Sequence, residues 1–206
     1  MSSPTIISFY TDDWEYPKHA ERLKKECNNL HILYDIRQLP STKDYHANCR
    51  LKAEFILQRL QELKTPLLWI DVDGSLLKTP VELSKLSQNY DVGLRPRRVI
   101  HSNGYNWHVG TMWFNYTGPA LEFLTTYATT ASGTDEHKLQ QAWLKHQHNI
   151  RVYTLPEKYF VVINSSNRKN LPEDTVIAHR ISKSDLKLAA KKQSKKISEW
   201  KKQNAK

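Results

Sequence analysis

The sequence predicts a single α/β domain built on a largely parallel sheet with helices on both faces. Three observations carry that expectation. Short apolar runs alternate with helical-period segments through the first half of the chain. The run Leu67–Ile70 is apolar at every position, as in a strand covered on both faces. The length, 206 residues, suffices for one sizeable core and is short for two.

Taken in order, Thr5–Tyr10 (TIISFY) reads as a buried first strand ending at the polar turn Thr11-Asp12-Asp13, and a helix is expected over His19–Cys27. His31–Ile36 reads as the second strand. Asp44–Lys64 is the clearest helix: Leu51, Phe55, Leu60 and Leu63 recur at helical spacing, Asp44 is a candidate N-cap, and Thr65-Pro66 ends it. After Leu67–Ile70 come a short helix near Pro80–Ser87 and strands at Tyr90–Leu94 and His108–Asn115. Helices follow over Pro119–Thr129 and Thr134–His148, then late strands at Arg151–Leu155 and Thr175–His179.

Composition narrows the function classes. Hydrophobic residues make up 39% of the chain, with 6 Trp and 10 Tyr, which argues for a folded protein. No apolar run is long enough to span a bilayer and no leader-type N-terminus is evident, so a cytoplasmic protein is expected. Cys27 and Cys49 make neither a disulfide framework nor a metal pattern. The net charge of +10 is uneven: nine Lys against Asp185 and Glu199 give residues 183–206 a charge of +7. The expected organisation is therefore a domain over residues 1–182 and a Lys-rich helical tail over 183–206. Such a tail reports a partner surface rather than the chemistry of a site.

Chemistry concentrates at Asp71-Val72-Asp73-Gly74, directly beyond a buried strand, where open α/β sheets bind their ligands. If the chain stays extended there, Asp71 and Asp73 face one way and Val72 the other. Two carboxylates on one side form a hard oxygen site suited to Mn²⁺ or Mg²⁺, ions usually shared with substrate phosphates. Gly74 would let the backbone approach a ligand. The plainer alternative is an acidic loop capping the next helix.

The segment PLLWIDVDGSLL resembles the Asp-x-Asp region of GT-A fold glycosyltransferases, in particular the small family-8-like nucleotide-diphospho-sugar transferases. Further short motifs follow in the same order over residues 5–182. Tyr10-Thr11-Asp12-Asp13 resembles the segment that receives uracil and ribose. Arg50-Leu51-Lys52 is similar to a run whose basic residue contacts the donor, although its distance from Asp71 leaves the roles of Arg50 and Lys52 exchangeable. Val109-Gly110-Thr111-Met112-Trp113-Phe114-Asn115 resembles the strand lining the sugar pocket. Asp135-Glu136 stands where the family opens a helix with residues that hold sugar and acceptor. Val176-Ile177-Ala178-His179 looks like the strand whose His is the third metal ligand, but the longer family motif after that His is absent.

The resemblance thus implies a transferase using a UDP-sugar with Mn²⁺ or Mg²⁺. Asp71, Asp73 and His179 would hold the metal. Tyr10, Thr11, Asp12, Asp13, Arg50, Lys52, Asp71, Val72, Asp73, Gly110 and Thr111 would hold the donor, and Asp135, Glu136 and Arg50 would act in catalysis. No second carboxylate stands out as a covalent nucleophile, so retention by a same-face route is expected. Each residue also has a plainer role: His179 as a structural histidine, Asp135 and Glu136 as first-turn residues favoured by the helix dipole. His146 and His148 are read as surface, since two helix positions apart they face different ways. Arg95, Arg97 and Arg98 are either a solvated turn or a contact to an anionic acceptor.

For the acceptor, the basic tail and lean size resemble phage enzymes that glycosylate hydroxylated or hydroxymethylated cytosine in double-stranded DNA. Lipopolysaccharide or another surface glycan is the alternative, with only weak membrane association because the tail's apolar stripe is thin. An Asp-x-Asp at a strand end also resembles haloacid-dehalogenase-type phosphatases, in which the Asp strand normally comes first in the domain.

Overall fold

The computed structural model describes residues 3–42, 44–97, 107–163 and 170–180, the side chains of Tyr45, His46, Arg50 and Arg180 excepted. The expected tail at 183–206, together with Arg98, lies outside the described residues.

The chain runs β1 (Thr5–Tyr10), α1 (Tyr16–Asn29), β2 (Tyr34–Gln38), α2 (Tyr45–Leu63), β3 (Leu67–Ile70), β4 (Ser75–Leu76) and a 3₁₀ segment at Val81–Gln88. It continues with β5 (Val92–Pro96), β6 (Trp107–Phe114), α3 (Gly118–Thr129), α4 (Asp135–His146), β7 (Val152–Thr154), β8 (Val161–Ile163) and β9 (Ile177–Arg180). Helix α2 begins as its sequence indicates, with the Asp44 carboxylate accepting the Ala47 amide at 3.0 Å. It stops at Lys64, which takes a left-handed conformation before Pro66. The region near residues 80–88 winds as a 3₁₀ rather than an α-helix.

Six strands form the main sheet in the order β2-β1-β3-β6-β5-β7. Strands β1, β2 and β3 are mutually parallel, as are β5 and β7, whereas β6 runs antiparallel to both its neighbours. The α/β class and mostly parallel sheet read from the sequence are what is found, with β6 as the reversed strand. A second, three-stranded sheet, β4-β9-β8, was not expected.

Strand alternation sorts the core into two layers. Ile7, Leu67, Trp69, Met112 and Phe114 pack under α2, α3 and α4, against Phe55, Ile56, Leu60, Phe123 and Leu139. Ile6, Leu68, Ile70 and Trp113 face the other way, onto Ala20, Leu23 and Cys27 of α1 and onto Leu83 and Leu86. Cys27 is a core thiol whose ionisation is pushed up to about 12 by burial, so it behaves as a small hydrophobe. No described helix is long and apolar enough to cross a membrane.

With β1 and β3 parallel and adjacent, their carboxyl ends, Tyr10 and Ile70, open at the same edge of the sheet. That edge is where the acidic segment lies.

Candidate active site

Strand β3 hands the chain to Asp71, whose amide still reaches across to the Gly110 carbonyl of β6 at 2.9 Å. From there the backbone turns: the Gly74 amide donates to the Asp71 carbonyl at 2.7 Å, closing a β-turn over residues 71–74. The extended alternation expected for this segment does not occur, because the chain leaves the ladder after Asp71. The two carboxylates nonetheless share a cleft. It measures about 130 Å³ and is lined by Phe9, Tyr10 and Thr11 at the end of β1, by Tyr16, by Asn48, Cys49 and Lys52 of α2, and by Trp69, Asp71, Val72 and Asp73.

The space beside Gly74 is filled by the protein itself, with His179 Cε1 3.1 Å from a would-be Cβ. A Cβ there would stand 2.8 Å from Ile70 Cγ2 and 2.9 Å from the Asp71 carbonyl, so the bare backbone lets the turn fold back on its own strand.

Asp71 is held by its Oδ1, which accepts from Trp69 Nε1 at 2.9 Å and from Lys52 Nζ at 2.8 Å. Lys52, 6% exposed, also contacts Asp135 Oδ2 at 2.7 Å and donates to the Val109 carbonyl at 3.2 Å. Its three protons are thereby all engaged inside the protein. Burial opposes its charge, while Asp135 and Asp71 together raise its basicity above the ordinary lysine range. Lys52 is thus a counter-ion to both carboxylates, and it also lines the cleft. Arg50 lies two positions before Lys52 on α2, and its side chain is outside the described residues.

Asp135 opens α4 and is 5% exposed. Its Oδ1 accepts from the Tyr127 hydroxyl and its Oδ2 pairs with Lys52. Burial raises its ionisation above the usual carboxylate value, against the pull of Lys52. Glu136, the next residue, is half-buried and accepts from Arg97 at 3.2 Å, while Arg97 Nε also donates to the Trp107 carbonyl. Arg95 donates to the Leu155 carbonyl at 3.1 Å. Asp12 is exposed and Asp13 half-buried in the loop after β1, neither among the residues lining the cleft.

His179, on β9, comes to the same place from the far end of the chain. A Cβ built on Gly110 would lie 3.2 Å from both Asp71 Oδ2 and His179 Cε1, so the imidazole and the free face of Asp71 border one small space kept open by a glycine. Phe160 stacks on His179 at 4.4 Å and on His108 at 4.2 Å. His179 Nε2 stands 2.7 Å from Thr111 Oγ1. Burial pushes His179 down to about 4, so its ring is neutral at pH 7.

The donor set suits a hard divalent ion in part. Asp73 is pushed up to about 6, first by burial and then by the negative charge of Asp71, as for two carboxylates sharing too little cation. That chemistry fits a metal across Asp71 and Asp73. The histidine is less committed to such a role, since its Nε2 is turned to Thr111, and among the described residues no three His, Cys, Asp or Glu side chains converge as a metal-holding group.

Sequence reasoning missed Trp69 and Tyr127 as partners of Asp71 and Asp135, and missed Arg22, whose NH2 donates to the carbonyls of Asp73 and Gly74 at 2.9 and 2.8 Å. The available signal was Arg22 and Glu26 at i,i+4 beside the apolar stripe Ala20, Leu23 and Cys27 of α1.

No protein-family model and no curated protein matches the chain. Solved structures do match in fold. A glycosyltransferase involved in the glycosylation of the major capsid of PBCV-1 is 16% identical and superposes with a TM-score of 0.64, covering 86% of this chain and 93% of that one. The apo form of the glycosyltransferase GlyE of Streptococcus pneumoniae TIGR4 is 14% identical with a TM-score of 0.55, and a second GlyE structure is 13% identical at 0.53. The chain covers 55% of GlyE in each case, so it spans about half that protein's length. The fold of this chain is one found among glycosyltransferases.

Proposed function

We propose that this protein is a glycosyltransferase that moves a sugar from a UDP-sugar to a hydroxyl acceptor with the aid of Mn²⁺ or Mg²⁺. The observation that carries the reading is the meeting of Asp71 and Asp73 with Tyr10 and Thr11 around one cleft, at the edge where parallel β1 and β3 end. A fold found among glycosyltransferases supports it.

In this reading Asp71 and Asp73 would hold the ion, which when bound would offset the charge that builds on the departing diphosphate. The chain's own residues prepare that role. Trp69 and Lys52 orient Asp71 through Oδ1 and leave Oδ2 toward Gly110, and Thr111 holds the ring of His179. Tyr10 and Thr11 wall the cleft on the side assigned to the nucleoside. Asp135 has one oxygen on Tyr127 and the other on Lys52, so it is not poised as a covalent nucleophile. Transfer with retention by a same-face route fits that arrangement.

For the acceptor, we infer a hydroxylated or hydroxymethylated cytosine in duplex DNA, because the charge of +7 on residues 183–206 suits a polyanion. One observation favours a surface or capsid glycan as the second reading: Arg95 and Arg97, two of the three arginines read as either a solvated turn or a contact to an anionic acceptor, are engaged with Leu155 and Glu136. The phosphatase alternative loses ground, since the Asp strand is the third in the chain.

A donor screen tests the reading. UDP-sugars with Mn²⁺ are expected to raise the unfolding temperature and to be hydrolysed slowly to UDP, and Asp73→Ala is expected to abolish both effects. Phosphate release from simple phosphomonoesters with no UDP formed would instead support the phosphatase. For DNA, five tail lysines on phosphates would give log K a slope of roughly −4 to −5 against log salt. A flat slope, or undiminished binding after deletion of 183–206, would leave the glycan acceptor.

A further inference from the structure

Helix α1 grips the acidic turn from beneath, through residues that line no part of the cleft. One guanidinium nitrogen, Arg22 NH2, carries two protons and meets two carbonyls, those of Asp73 at 2.9 Å and Gly74 at 2.8 Å. One helical turn later, Glu26 Oε2 accepts the Leu76 amide at 2.8 Å. The two side chains are themselves paired, Arg22 Nε lying 3.5 Å from Glu26 Oε1, and both are about one-fifth to one-quarter exposed. His19 Nδ1 supports the other arm of the guanidinium at 3.1 Å.

The turn needs such a partner. Past Asp71 the backbone has left the main sheet, so the carbonyls of residues 73 and 74 lack ladder donors there, and an unmet buried carbonyl is costly. A planar fork satisfies two oxygens at fixed separation, which a lysine ammonium does less well. Asp73 is the residue whose carbonyl is gripped, so the grip fixes the direction from which its carboxylate enters the cleft.

We propose that Arg22 and Glu26 are positioning residues for the carboxylate pair Asp71 and Asp73: together they clasp the backbone from Asp73 to Leu76 and hold the turn in the shape that binds a divalent ion. This rests on the metal-dependent transferase reading above. It assigns α1 a part in the site that the Asp-x-Asp segment alone does not reveal.

The test uses the full chain with Mn²⁺ alone as probe, following bound metal by the loss of the free-ion EPR signal and backbone protection by amide hydrogen exchange. Arg22→Met and Glu26→Met are expected to weaken Mn²⁺ binding by about tenfold or more, as removal of partners behind metal ligands does. The amides of Gly74 and Leu76 are expected to exchange faster in both, while amides of β1 and β3 keep their protection. Arg22→Lys should fall between Arg22→Met and the parent, and Glu21→Ala, on the exposed side of α1, should match the parent. Should Arg22→Met fail to fold, Glu26→Met carries the test, since it removes the acceptor of the Leu76 amide and leaves the guanidinium. Variants that bind Mn²⁺ like the parent with unchanged protection at residues 74 and 76 overturn the clasp. A parent that binds no Mn²⁺ overturns the metal reading itself, an outcome recognisable because it precedes any substitution.

Discussion

Lys52 Nζ stands 2.7 Å from Asp135 Oδ2, a contact that ties the middle of α2 to the first residue of α4 beneath the acidic turn. The same ammonium lies 2.8 Å from Asp71 Oδ1 and 5.4 Å from the centre of the Trp69 ring. One buried cation thus serves the buried Asp135 and the half-buried Asp71, and removing it leaves both carboxylates without their counter-ion.

Lys52→Met is therefore expected to destabilise the fold by about 3–5 kcal/mol, the usual cost of breaking a buried pair from one side. Lys52→Met with Asp135→Asn should lose less than the two single changes added together, a coupling that urea unfolding of the four proteins measures. Strict additivity would show that the contact carries no energy.

Asp73→Asn should separate stability from function. It removes the burial cost of the charge and the repulsion from Asp71, which together raise the Asp73 carboxyl, so the unfolding temperature is expected to hold or rise. Metal binding and UDP release should fall by about a hundredfold, in line with loss of a charge-stabilising group. A variant that keeps full metal-dependent activity would remove Asp73 from the site.

Glycine substitutions give a matched pair. At Gly110 a Cβ would lie 2.7 Å from Phe160 Cε2 and 3.2 Å from Asp71 Oδ2, so Gly110→Ala should cost about 1–3 kcal/mol and disturb the site. Gly118, at the start of α3, has nothing but its chain neighbours near its would-be Cβ, so Gly118→Ala should cost less than Gly110→Ala, its one constraint being the following Pro119. Thermal unfolding of the two variants reads the difference.

Asp91 sets an acid limit away from the cleft. It is 1% exposed and accepts from the Arg151 amide at 2.9 Å, from Arg151 Nε and NH2 at 3.0 and 2.9 Å, and from Thr117 Oγ1 at 2.9 Å. Although burial alone would raise its carboxyl, the hydrogen bonds from Arg151 and Thr117 hold it below the ordinary 3.8. The unfolded state then binds more protons than the folded one around and below pH 4. The contribution is thus complete above that range and lost as pH falls through the folded value. Asp91→Asn should flatten this part of the stability–pH curve, and an unaltered acid limb would show that the contact contributes nothing there.

The sequence by itself determined the α/β class, nearly every long element and the address of the acidic pair. Those features are local: Leu67–Ile70 is apolar at each position, Asp44 caps the helix that follows it, and the two aspartates come directly after a buried strand. The short strands β4 and β8 stayed hidden because two or three residues hold no period, and their existence depends on pairing with β9, which arrives from the end of the described chain. Only the tertiary structure decided that residues 71–74 turn instead of extending, that Lys52 spends its protons on Asp71, Asp135 and Val109, and that Arg22 reaches across 51 positions to Asp73. The physical reason is that periodicity and capping are properties of neighbours along the chain, whereas a buried charge or an orphaned carbonyl takes whichever partner the folded chain brings within about 3 Å.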